Sequence, residues 1–448
     1  MDDIRNDDLS DLDRISVPMM VKAFVFYELQ PGVDTNHFAA SVKEGLSNAT
    51  RQFPFMAGNL QVDKSGRLCI VTAPGKHVRC IVNYLGPREH KSFSALATDS
   101  FSPNDLDPVL LLPEMPADEK PVCALQLNVI EGGLILGFTM HHMVGDWASM
   151  DAFLSLICQG AKAHQQGQEM PVYTPDLNKT PYNGTEGLPR QELLDRLPTY
   201  HVAEKAPFVP KPPPPFQTSI YQITEASVQQ LKAQCTPYLQ GVDYISTYDC
   251  ISALLWTSIT RARIRLHPEK ATSLTRLLHP VNVRSRDLEN RTSERYFGNG
   301  AFPTHAGPMT AQEMTLDGEK GLATAASLIR QSIDPVSLSS IHDLTSLVKT
   351  LSPTEQLGVH SDFHDMDILM NSWCTRGIGI DKYHMGGGSL PVAFRTHRPV
   401  TGAYCLVLPS IGRRDNRVFE IFVQVAAEEH ELLRRDEEFL KYFELVAA

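Results

Sequence analysis

Residues 133–146 of this chain read GLILGFTMHHMVGD, and this stretch decides the fold class. It opens as a run of apolar residues bounded by glycine, which is typical of a buried strand. The run ends in His141-His142, and Asp146 follows His142 by four residues. Residues 148–163 then carry apolar side chains at helical spacing, so we predict a helix directly behind the histidines. A strand that brings an imidazole to the edge of a pocket, with a carboxylate where a helix begins, is an arrangement that positions a general base.

The doubled histidine has two other interpretations. Neighbouring residues of a strand point to opposite faces, so one of His141 and His142 packs against the protein while the other faces a cleft. Taken alone, the motif fits a buried structural pair as well as it fits catalysis. A zinc site fits less well, because the motif supplies no third ligand and is not a His-Glu-x-x-His helix. We therefore predict no metal site.

The chain is long enough for two globular domains. It has 448 residues, of which 42% are hydrophobic, and chains of this length usually divide into more than one core. Prolines crowd residues 201–216. Consecutive prolines fix φ and favour extended geometry, so neither a helix nor a central strand can form there. We predict a first domain over 1–200, a crossing linker at 201–216 and a second domain over 217–448.

Both predicted domains mix strand and helix patterns. In the first, the patterns predict strands at 21–27 and 68–71 and a helix at 38–50. In the second, they predict strands at 221–223, 277–283, 404–408 and 418–425, and helices at 228–234, 248–263, 322–332 and 428–442. The predicted fold class is mixed α/β.

Charge and cysteine content exclude several kinds of partner. The net charge of −11 argues against a nucleic-acid surface, which depends on clustered lysine and arginine. No apolar run approaches the roughly 20 residues of a membrane span, and the acidic N-terminal residues do not resemble a secretory signal. The eight cysteines include no Cys-x-x-Cys pair, which is typical of reduced thiols. We predict a cytoplasmic protein that binds neither nucleic acid nor membrane.

Further short motifs accompany the histidine motif along the chain. They are, in order, Leu9-Ser10-x-Leu12-Asp13, Phe53-Pro54-Phe55-Met56-Ala57-Gly58, His142-x-x-x-Asp146, Ser246-Thr247-Tyr248-Asp249 with Ala253-Leu254-Leu255-Trp256, Val281-Asn282-Val283-Arg284-Ser285-Arg286, Tyr296-Phe297-Gly298-Asn299 and Asn371-Ser372-Trp373. Together, in this order, they resemble the BAHD family of coenzyme A-dependent acyltransferases, in particular its fungal branch that is similar to trichothecene acetyltransferases. The resemblance covers nearly the whole chain.

Two segments depart from the family pattern. Trp147 follows the motif aspartate, where the family usually has a small residue, so we expect the indole to narrow the channel near the thioester. Residues 381–386 read DKYHMG where the family has Asp-Phe-Gly-Trp-Gly. Because that segment is thought to support structure, we expect the change to affect a loop more than the reaction.

The resemblance implies two chloramphenicol acetyltransferase-like α/β domains with an active-site channel at their interface. It also implies transfer of an acyl group, foremost acetyl, from acyl-CoA to a hydroxyl of a small secondary metabolite such as a terpenoid, alkaloid or polyketide alcohol. Acyl-CoA is then a co-substrate, no cofactor is permanently bound, and the protein acts as a monomer.

The resemblance assigns catalytic roles to three residues. His142 is the general base toward the acceptor hydroxyl, because imidazoles titrate near neutral pH. Trp373 donates to the developing oxyanion, since an indole N–H can only donate. Asp146, on the family pattern, turns away from the cleft and pairs with an arginine from the second domain, for which Arg284 is the first choice and Arg286 the second. Such a pair would fix the loop that carries His142.

Five residues, Arg284 among them, are expected to support the site or to contact its substrates. Arg284 and Asn299 are expected to support it structurally, with Asn299 holding backbone near the channel. Ser246, Thr247 and Arg376 are expected to contact the pantetheine arm of coenzyme A or the acceptor.

Two alternatives remain open from the sequence. A condensation-type or carnitine-type acyltransferase shares the implied fold, and His141-His142 resembles the His-His-x-x-x-Asp-Gly of condensation domains. Trp147 in place of that glycine argues against this alternative. The second alternative is a catalytically silent member that binds a small hydrophobic ligand, and the intact His142 and Asp146 argue against it.

Overall fold

The computed structural model describes residues 4–64, 66–116, 118–205, 215–284, 286, 293–316, 318–374, 379–387, 390–397, 402–409, 411 and 417–448. Within these residues the strands are β1 (Arg5–Asp8), β2 (Met20–Glu28), β3 (Asn59–Val62), β4 (Leu68–Thr72), β5 (Arg79–Tyr84), β6 (Cys123–Ile130), β7 (Gly133–His141), β8 (Tyr200–Glu204), β9 (Phe216–Thr224), β10 (Leu274–Asn282), β11 (Ala301–Thr310), β12 (Glu355–Val359), β13 (Ile368–Ser372), β14 (Pro391–Thr396), β15 (Tyr404–Val407), β16 (Val418–Ala426) and β17 (Glu444–Ala447). The α-helices are α1 (Asp11–Ile15), α2 (Thr35–Gln52), α3 (Phe93–Thr98), α4 (Pro108–Leu111), α5 (Trp147–Gln165), α6 (Arg190–Arg196), α7 (Glu225–Cys235), α8 (Thr247–Leu266), α9 (Ala311–Leu316), α10 (Glu319–Ile333), α11 (Leu338–Lys349), α12 (Ala427–Leu433) and α13 (Glu437–Leu440).

The chain forms two compact units. The first unit consists of Met1–Asn183, Arg284–Gly300 and Thr375–His397, and the second consists of Gly184–Val283, Ala301–Cys374 and Arg398–Ala448. The first unit thus includes two segments that follow the proline-rich stretch in sequence. Residues 206–214 of the predicted linker lie outside the described residues, and the predicted domain boundaries stay a prediction.

The first unit contains a five-stranded sheet with the strand order β14-β2-β7-β6-β5. Neighbouring strands are antiparallel except for the parallel pair β5 and β6. Strand β7 is central, and all of its residues before His141 are buried. The continuous apolar run of the sequence is therefore a strand covered on both faces, as predicted. A smaller sheet with the order β1-β4-β3 belongs to the same unit.

Helices α2 and α5 of the first unit approach each other closely. A Cβ added at Gly45 would lie 2.3 Å from the carbonyl oxygen of Ile157 and 2.6 Å from the amide nitrogen of Ala161. A Cβ at Gly160 would lie 2.8 Å from Gly45 Cα. The glycines let the two backbones touch, and this contact fixes the axis of the helix that begins behind the histidine motif.

The second unit is built on a seven-stranded mixed sheet with the order β11-β10-β13-β15-β16-β9-β17. Strand β13 is parallel to both of its neighbours, and the other pairs are antiparallel. Helix α8 is buried along most of its length, and Trp256 on it donates its indole N–H to Thr275 Oγ1 at 2.8 Å. Strands β8 and β12 form a separate two-stranded sheet. Both units mix helices and strands, which confirms the predicted fold class.

The structure corrects the predicted end of the chain. The sequence pattern predicts one helix over 428–442, whereas the structure has α12 and α13 with a break between them. The carboxylate of Asp436 accepts the N–H groups of Glu438 and Phe439, both at 3.1 Å, and this cap starts the second helix. The single-helix prediction is wrong because the apolar spacing continues across the break. The other predicted elements are present with shifted ends.

Among the helices of the described residues, none combines the length and the apolar composition that a membrane-spanning helix needs.

Candidate active site

The histidine motif forms the turn between β7 and α5. The N–H of His142 donates to the carbonyl of Met19 at 2.8 Å, and that of Val144 donates to the carbonyl of His141 at 3.0 Å. Asp146 is the N-cap of α5, and its Oδ1 accepts the N–H of Ser149 at 3.3 Å. The turn therefore leaves the sheet at His142 and enters the helix at Asp146.

His141 and His142 have different surroundings. The N–H of Met143 donates to His141 Nδ1 at 3.3 Å, so that nitrogen is an acceptor and the ring is neutral. Burial, together with the nearby His142 and Lys120, lowers the pKa of His141 to about 4. The His142 ring is half-buried, and no hydrogen bond within the described residues reaches its buried Nδ1.

Asp146 pairs with Arg284 inside the first unit. The two guanidinium NH groups of Arg284 donate to Asp146 Oδ2 at 2.8 Å and to Oδ1 at 3.0 Å. Both side chains are buried. Although burial alone would raise it, the contact with Arg284 holds the pKa of Asp146 below its usual value. Bidentate pairs of this kind fix orientation as well as charge.

No hydrogen bond joins Asp146 to His142 within the described residues. Instead, Asp146 Oδ2 also accepts the N–H of Gly300 at 2.8 Å, so this carboxylate is saturated by partners away from the imidazole. The arrangement differs from a serine-protease triad, in which the carboxylate orients the base directly. The resemblance names Arg284 as the first candidate and expects it from the second domain, whereas the structure groups Arg284 with Asp146 in the first unit.

Residues 296–300, which we call the YFGNG segment, hold the turn at both of its ends. The side-chain amide of Asn299 donates to the carbonyl of His142 at 2.9 Å. At the other end, the N–H of Asp146 donates to the carbonyl of Gly298 at 3.3 Å, and the Ser149 hydroxyl donates to the same carbonyl at 2.8 Å. The segment thus fixes the backbone on either side of the histidine turn.

A buried carboxylate, Asp13 on α1, supports the YFGNG segment in turn. Its Oδ1 accepts the backbone N–H of Asn299 at 2.7 Å and the side-chain amide of Asn299 at 2.9 Å. Its Oδ2 accepts the ammonium of Lys179 at 2.9 Å. The motif Leu9-Ser10-x-Leu12-Asp13 marked this region in the sequence, but it assigned no role to Asp13. No local pattern marked Lys179.

The two departures from the family pattern both pack inside the first unit. Trp147 is buried and meets Phe394 edge to face, with ring centroids 5.4 Å apart. In the segment 381–386, Lys382 pairs with Asp151 on α5 at 2.7 Å, and the Tyr383 hydroxyl donates to the same carboxylate. Both segments therefore brace α5, the helix behind the histidine motif.

The remaining predicted residues belong to the second unit or lie outside the described residues. Ser246 is the N-cap of α8, where its hydroxyl accepts the N–H of Asp249 at 3.2 Å, and Thr247 Oγ1 accepts from Lys232 at 3.4 Å. Trp373 is buried at the end of β13. Arg376 lies outside the described residues.

Two cavities are found in the first unit, and one of them is lined by residues on either side of His142. One, of about 300 Å³, is lined by His141 and Met143, and the other, of about 370 Å³, lies along β3. None of the predicted site residues lines either cavity. In the described part of the chain, no three histidine, cysteine or acidic side chains are grouped closely enough to hold a metal ion.

The chain matches a family model described as the Transferase family over residues 5–440. This match spans nearly the whole chain, which therefore belongs to that family, the BAHD family of coenzyme A-dependent acyltransferases that the motifs resemble.

Relatives and solved structures agree with this family. Acyltransferase easC of Emericella nidulans is 24% identical to this chain, with 98% of this chain and 95% of the relative covered. Trichothecene 3-O-acetyltransferase TRI101 of Fusarium sporotrichioides is 23% identical, with 90% and 88% covered. The crystal structure of F. graminearum TRI101 complexed with coenzyme A and T-2 mycotoxin aligns with a TM-score of 0.81 at 20% identity, over 99% of this chain and 100% of that chain. The chain thus has the two-domain, chloramphenicol acetyltransferase-like α/β fold predicted for it.

Proposed function

We propose that this protein is an O-acyltransferase that moves an acetyl group from acetyl-CoA to a hydroxyl of a small secondary metabolite, such as a terpenoid, alkaloid or polyketide alcohol. The observation that carries the proposal is the turn at His142, whose backbone is held by Asn299 on one side and by the Asp146–Arg284 pair on the other. Direct acyl transfer requires a general base in a defined position, and the fixed backbone of this turn places the His142 imidazole. The acceptor class follows the related proteins, one of which is a trichothecene 3-O-acetyltransferase and one of which was crystallised with T-2 mycotoxin.

In the proposed reaction, His142 acts through Nε2, because its Nδ1 is buried. Nε2 takes the proton from the acceptor hydroxyl while the hydroxyl oxygen attacks the thioester carbonyl carbon. The C–O bond forms, and a tetrahedral oxyanion results. When the C–S bond breaks, the imidazolium returns its proton to the leaving thiolate, so coenzyme A departs as a thiol. No covalent intermediate with the protein is needed, since the thioester is already activated.

Three other groups take supporting roles in the proposal. The indole N–H of Trp373 donates to the tetrahedral oxyanion. Asp146 acts through structure, since its oxygens are occupied by Arg284 and by backbone N–H groups. Ser246, Thr247 and Arg376 are proposed contacts of the pantetheine arm or of the acceptor.

The test is acetyl transfer by the purified protein. Incubation with acetyl-CoA and a panel of terpenoid, alkaloid and polyketide alcohols should release free thiol only when an alcohol is present, with the acetyl ester detected by mass spectrometry. Slow thiol release without alcohol is hydrolysis and does not count as transfer.

The same assay separates the proposed activity from these two alternatives. A condensation-type enzyme would use an acyl group on a carrier protein and would not accept acetyl-CoA. A silent member would bind a hydrophobic ligand and leave acetyl-CoA intact with every alcohol. Either result would overturn the proposal.

Three further properties belong to the proposal. The protein acts as a monomer with the domain boundaries given by the sequence, as the resemblance implies, and light scattering of the purified chain tests the monomer. It is cytoplasmic, which is supported by eight cysteines that are all free thiols in the structure. Fractionation of cells that express a tagged chain tests the location.

A further inference from the structure

We infer that Asp13 and Lys179 are positioning residues for His142, acting through Asn299. This inference rests on the proposed function, since it concerns the imidazole that the proposed reaction uses. Within the described residues, neither side chain makes a hydrogen bond or an ion pair with His142. Each acts on the group that holds the His142 carbonyl.

The Asp13 carboxylate has all of its oxygens engaged by hydrogen-bond donors. The side chain of Asp13 is fully buried, and its carboxylate accepts four hydrogen bonds. Two come from Asn299, at 2.7 and 2.9 Å. The others come from the N–H of Ser10 and the ammonium of Lys179, both at 2.9 Å. A buried carboxylate is retained only when its oxygens are satisfied in this way.

The hydrogen bonds of Asn299 fix the orientation of its side-chain amide. Its NH2 group has two hydrogens, and it donates to Asp13 Oδ1 and to the carbonyl of His142, each at 2.9 Å. A carboxylate can only accept, so it forces the NH2 end of the amide toward it. The same end then faces His142. If the amide turned over, its oxygen would meet two acceptors and both bonds would be lost.

Lys179 contacts both Asp13 and the YFGNG segment. Its ammonium contacts Asp13 Oδ2 and also donates to the carbonyl of Phe297 at 2.9 Å. It lies 5.1 Å from the ring centroid of Tyr296, within the range of a cation–π contact. Lys179 therefore ties the carboxylate to the YFGNG segment at two further points. Without it, the carboxylate would keep a buried charge with no cationic partner among these contacts.

The variant Asp13→Asn tests the orientation step. Asparagine at this position can either accept from Asn299 or donate to its oxygen, so it no longer selects one orientation of the Asn299 amide. We expect kcat to fall by at least about tenfold, since small misplacements of a catalytic group cost up to about 10²-fold. The KM for acetyl-CoA should change by less than about threefold, because the substrates keep their contacts.

Lys179 gives a second test at a partly exposed position. Its side chain is 19% exposed, and thermal denaturation checks that Lys179→Met is folded at the assay temperature. We expect Lys179→Met to lower kcat as Asp13→Asn does, and Lys179→Arg to restore it by keeping the charge. Asp11→Asn, on the same short helix and paired with Arg14 at 3.3 Å, is the matched control and should keep the rate of the unaltered protein.

A measurement independent of turnover separates positioning from the proposed function. In protein labelled with [13Cε1]histidine, the His142 signal is assigned by its loss in His142→Ala. Asp13→Asn and Lys179→Met should shift or split this signal while the His141 signal stays in place. An unchanged His142 signal, or a kcat within twofold of the unaltered protein in both variants, overturns the inference. If the unaltered protein transfers no acetyl group, the proposed function fails, and the His142 signal still decides the positioning.

Discussion

The two adjacent histidines on the β7–α5 turn are held in different ways, His141 through its ring and His142 through its backbone carbonyl. They therefore have different roles. His141 accepts the N–H of Met143 through its ring, and its pKa near 4 keeps it neutral at neutral pH. It is therefore a structural acceptor. His142 is held through its backbone carbonyl by Asn299, which leaves the ring free of a structural hydrogen bond within the described residues. A base needs that freedom to exchange a proton with a substrate.

Replacement of His142 by alanine should abolish most of the acetyl transfer. We expect a loss of about 10²- to 10⁴-fold in kcat, the usual effect of losing a general base, with little change in the melting temperature. Thiol release in the presence of an accepted alcohol measures the rate. The matched control is His141→Asn, whose side-chain oxygen can accept the Met143 N–H and which should keep the rate within a few-fold. A His142→Ala protein as active as the original would remove His142 from the mechanism.

At this scale the sequence predicts residues within short motifs but does not predict which distant positions contact each other. His142 and Asp146 share one motif, and Arg284 and Asn299 lie in two others. Asp13 and Lys179 are 166 positions apart in sequence, so no local spacing shows that they meet. Their pairing depends on how the chain folds back, which a pattern along the sequence does not contain.

Among the elements, the pair of Asp146 and Arg284 ties the start of α5 to the YFGNG segment. Replacement of Asp146 by alanine leaves a buried guanidinium without its carboxylate, which costs about 3–5 kcal/mol. It also removes the N-cap of α5. We therefore expect a lower melting temperature together with lower kcat, measured by thermal denaturation and by the thiol assay.

The control for Asp146 is a pair on the surface. Lys91 and Asp99 lie 2.9 Å apart, and both are about half exposed, so Asp99→Ala should cost only about 0–1 kcal/mol. If Asp146→Ala lost activity with an unaltered melting temperature, Asp146 would act in the chemistry rather than through the turn.

The contact between α2 and α5 gives a prediction about helix packing. Gly45→Ala places a methyl group 2.3 Å from the Ile157 carbonyl oxygen, and because the clash is with backbone, the helices must separate. Overpacking of this kind costs about 1–3 kcal/mol, so the urea midpoint of unfolding should fall. Gly86→Ala is the control, since the nearest atom to its added Cβ, on Glu89, is 3.5 Å away. Equal midpoints for the two variants would contradict the close contact.

The elements themselves follow from hydrophobic spacing, but their interruptions do not. The buried run of β7 and the apolar spacing of α5 are strong signals, and both elements are present. The break between α12 and α13 comes from one side chain, Asp436, which caps a new helix. A single capping residue within a region of continuous helical spacing changes the backbone without changing the pattern around it.

At the scale of the whole molecule, the order of the motifs predicts the family and the fold class. It does not predict which segments of the chain belong to each compact unit. The first unit gathers Arg284–Gly300 and Thr375–His397 from late in the chain. The former segment carries Asn299 and the arginine that pairs with Asp146. Tertiary packing decides whether a late segment joins the first unit. Neither the composition nor the position of the proline-rich stretch therefore predicts it.

Buried histidines make the stability of the whole protein depend on pH. Burial is the largest cause that lowers the pKa of His279 to about 3 and that of His305 to about 4, and His141 is similar. The unfolded chain binds protons at these histidines near pH 6.5, whereas the folded protein does not. Between about pH 6.5 and 4 the unfolded state therefore holds more protons, and the free energy of unfolding falls as the pH falls. Above pH 6.5 these histidines are neutral in both states and no longer change the free energy of unfolding.

A variant at His279 tests this dependence of the stability on pH. Ser332 donates its hydroxyl proton to the carbonyl of Ile329 at 2.7 Å, so its oxygen accepts from His279 Nε2 at 2.8 Å, and His279 Nδ1 accepts the Tyr248 hydroxyl at 3.1 Å. Protonation of Nδ1 would break the last bond inside a fully buried site. Urea titrations at a series of pH values should give a slope that is smaller in His279→Gln by up to about 1.4 kcal/mol per pH unit. An identical slope in the two proteins between pH 4.5 and 6 would mean that His279 takes up its proton in the folded state, contrary to its network of hydrogen bonds.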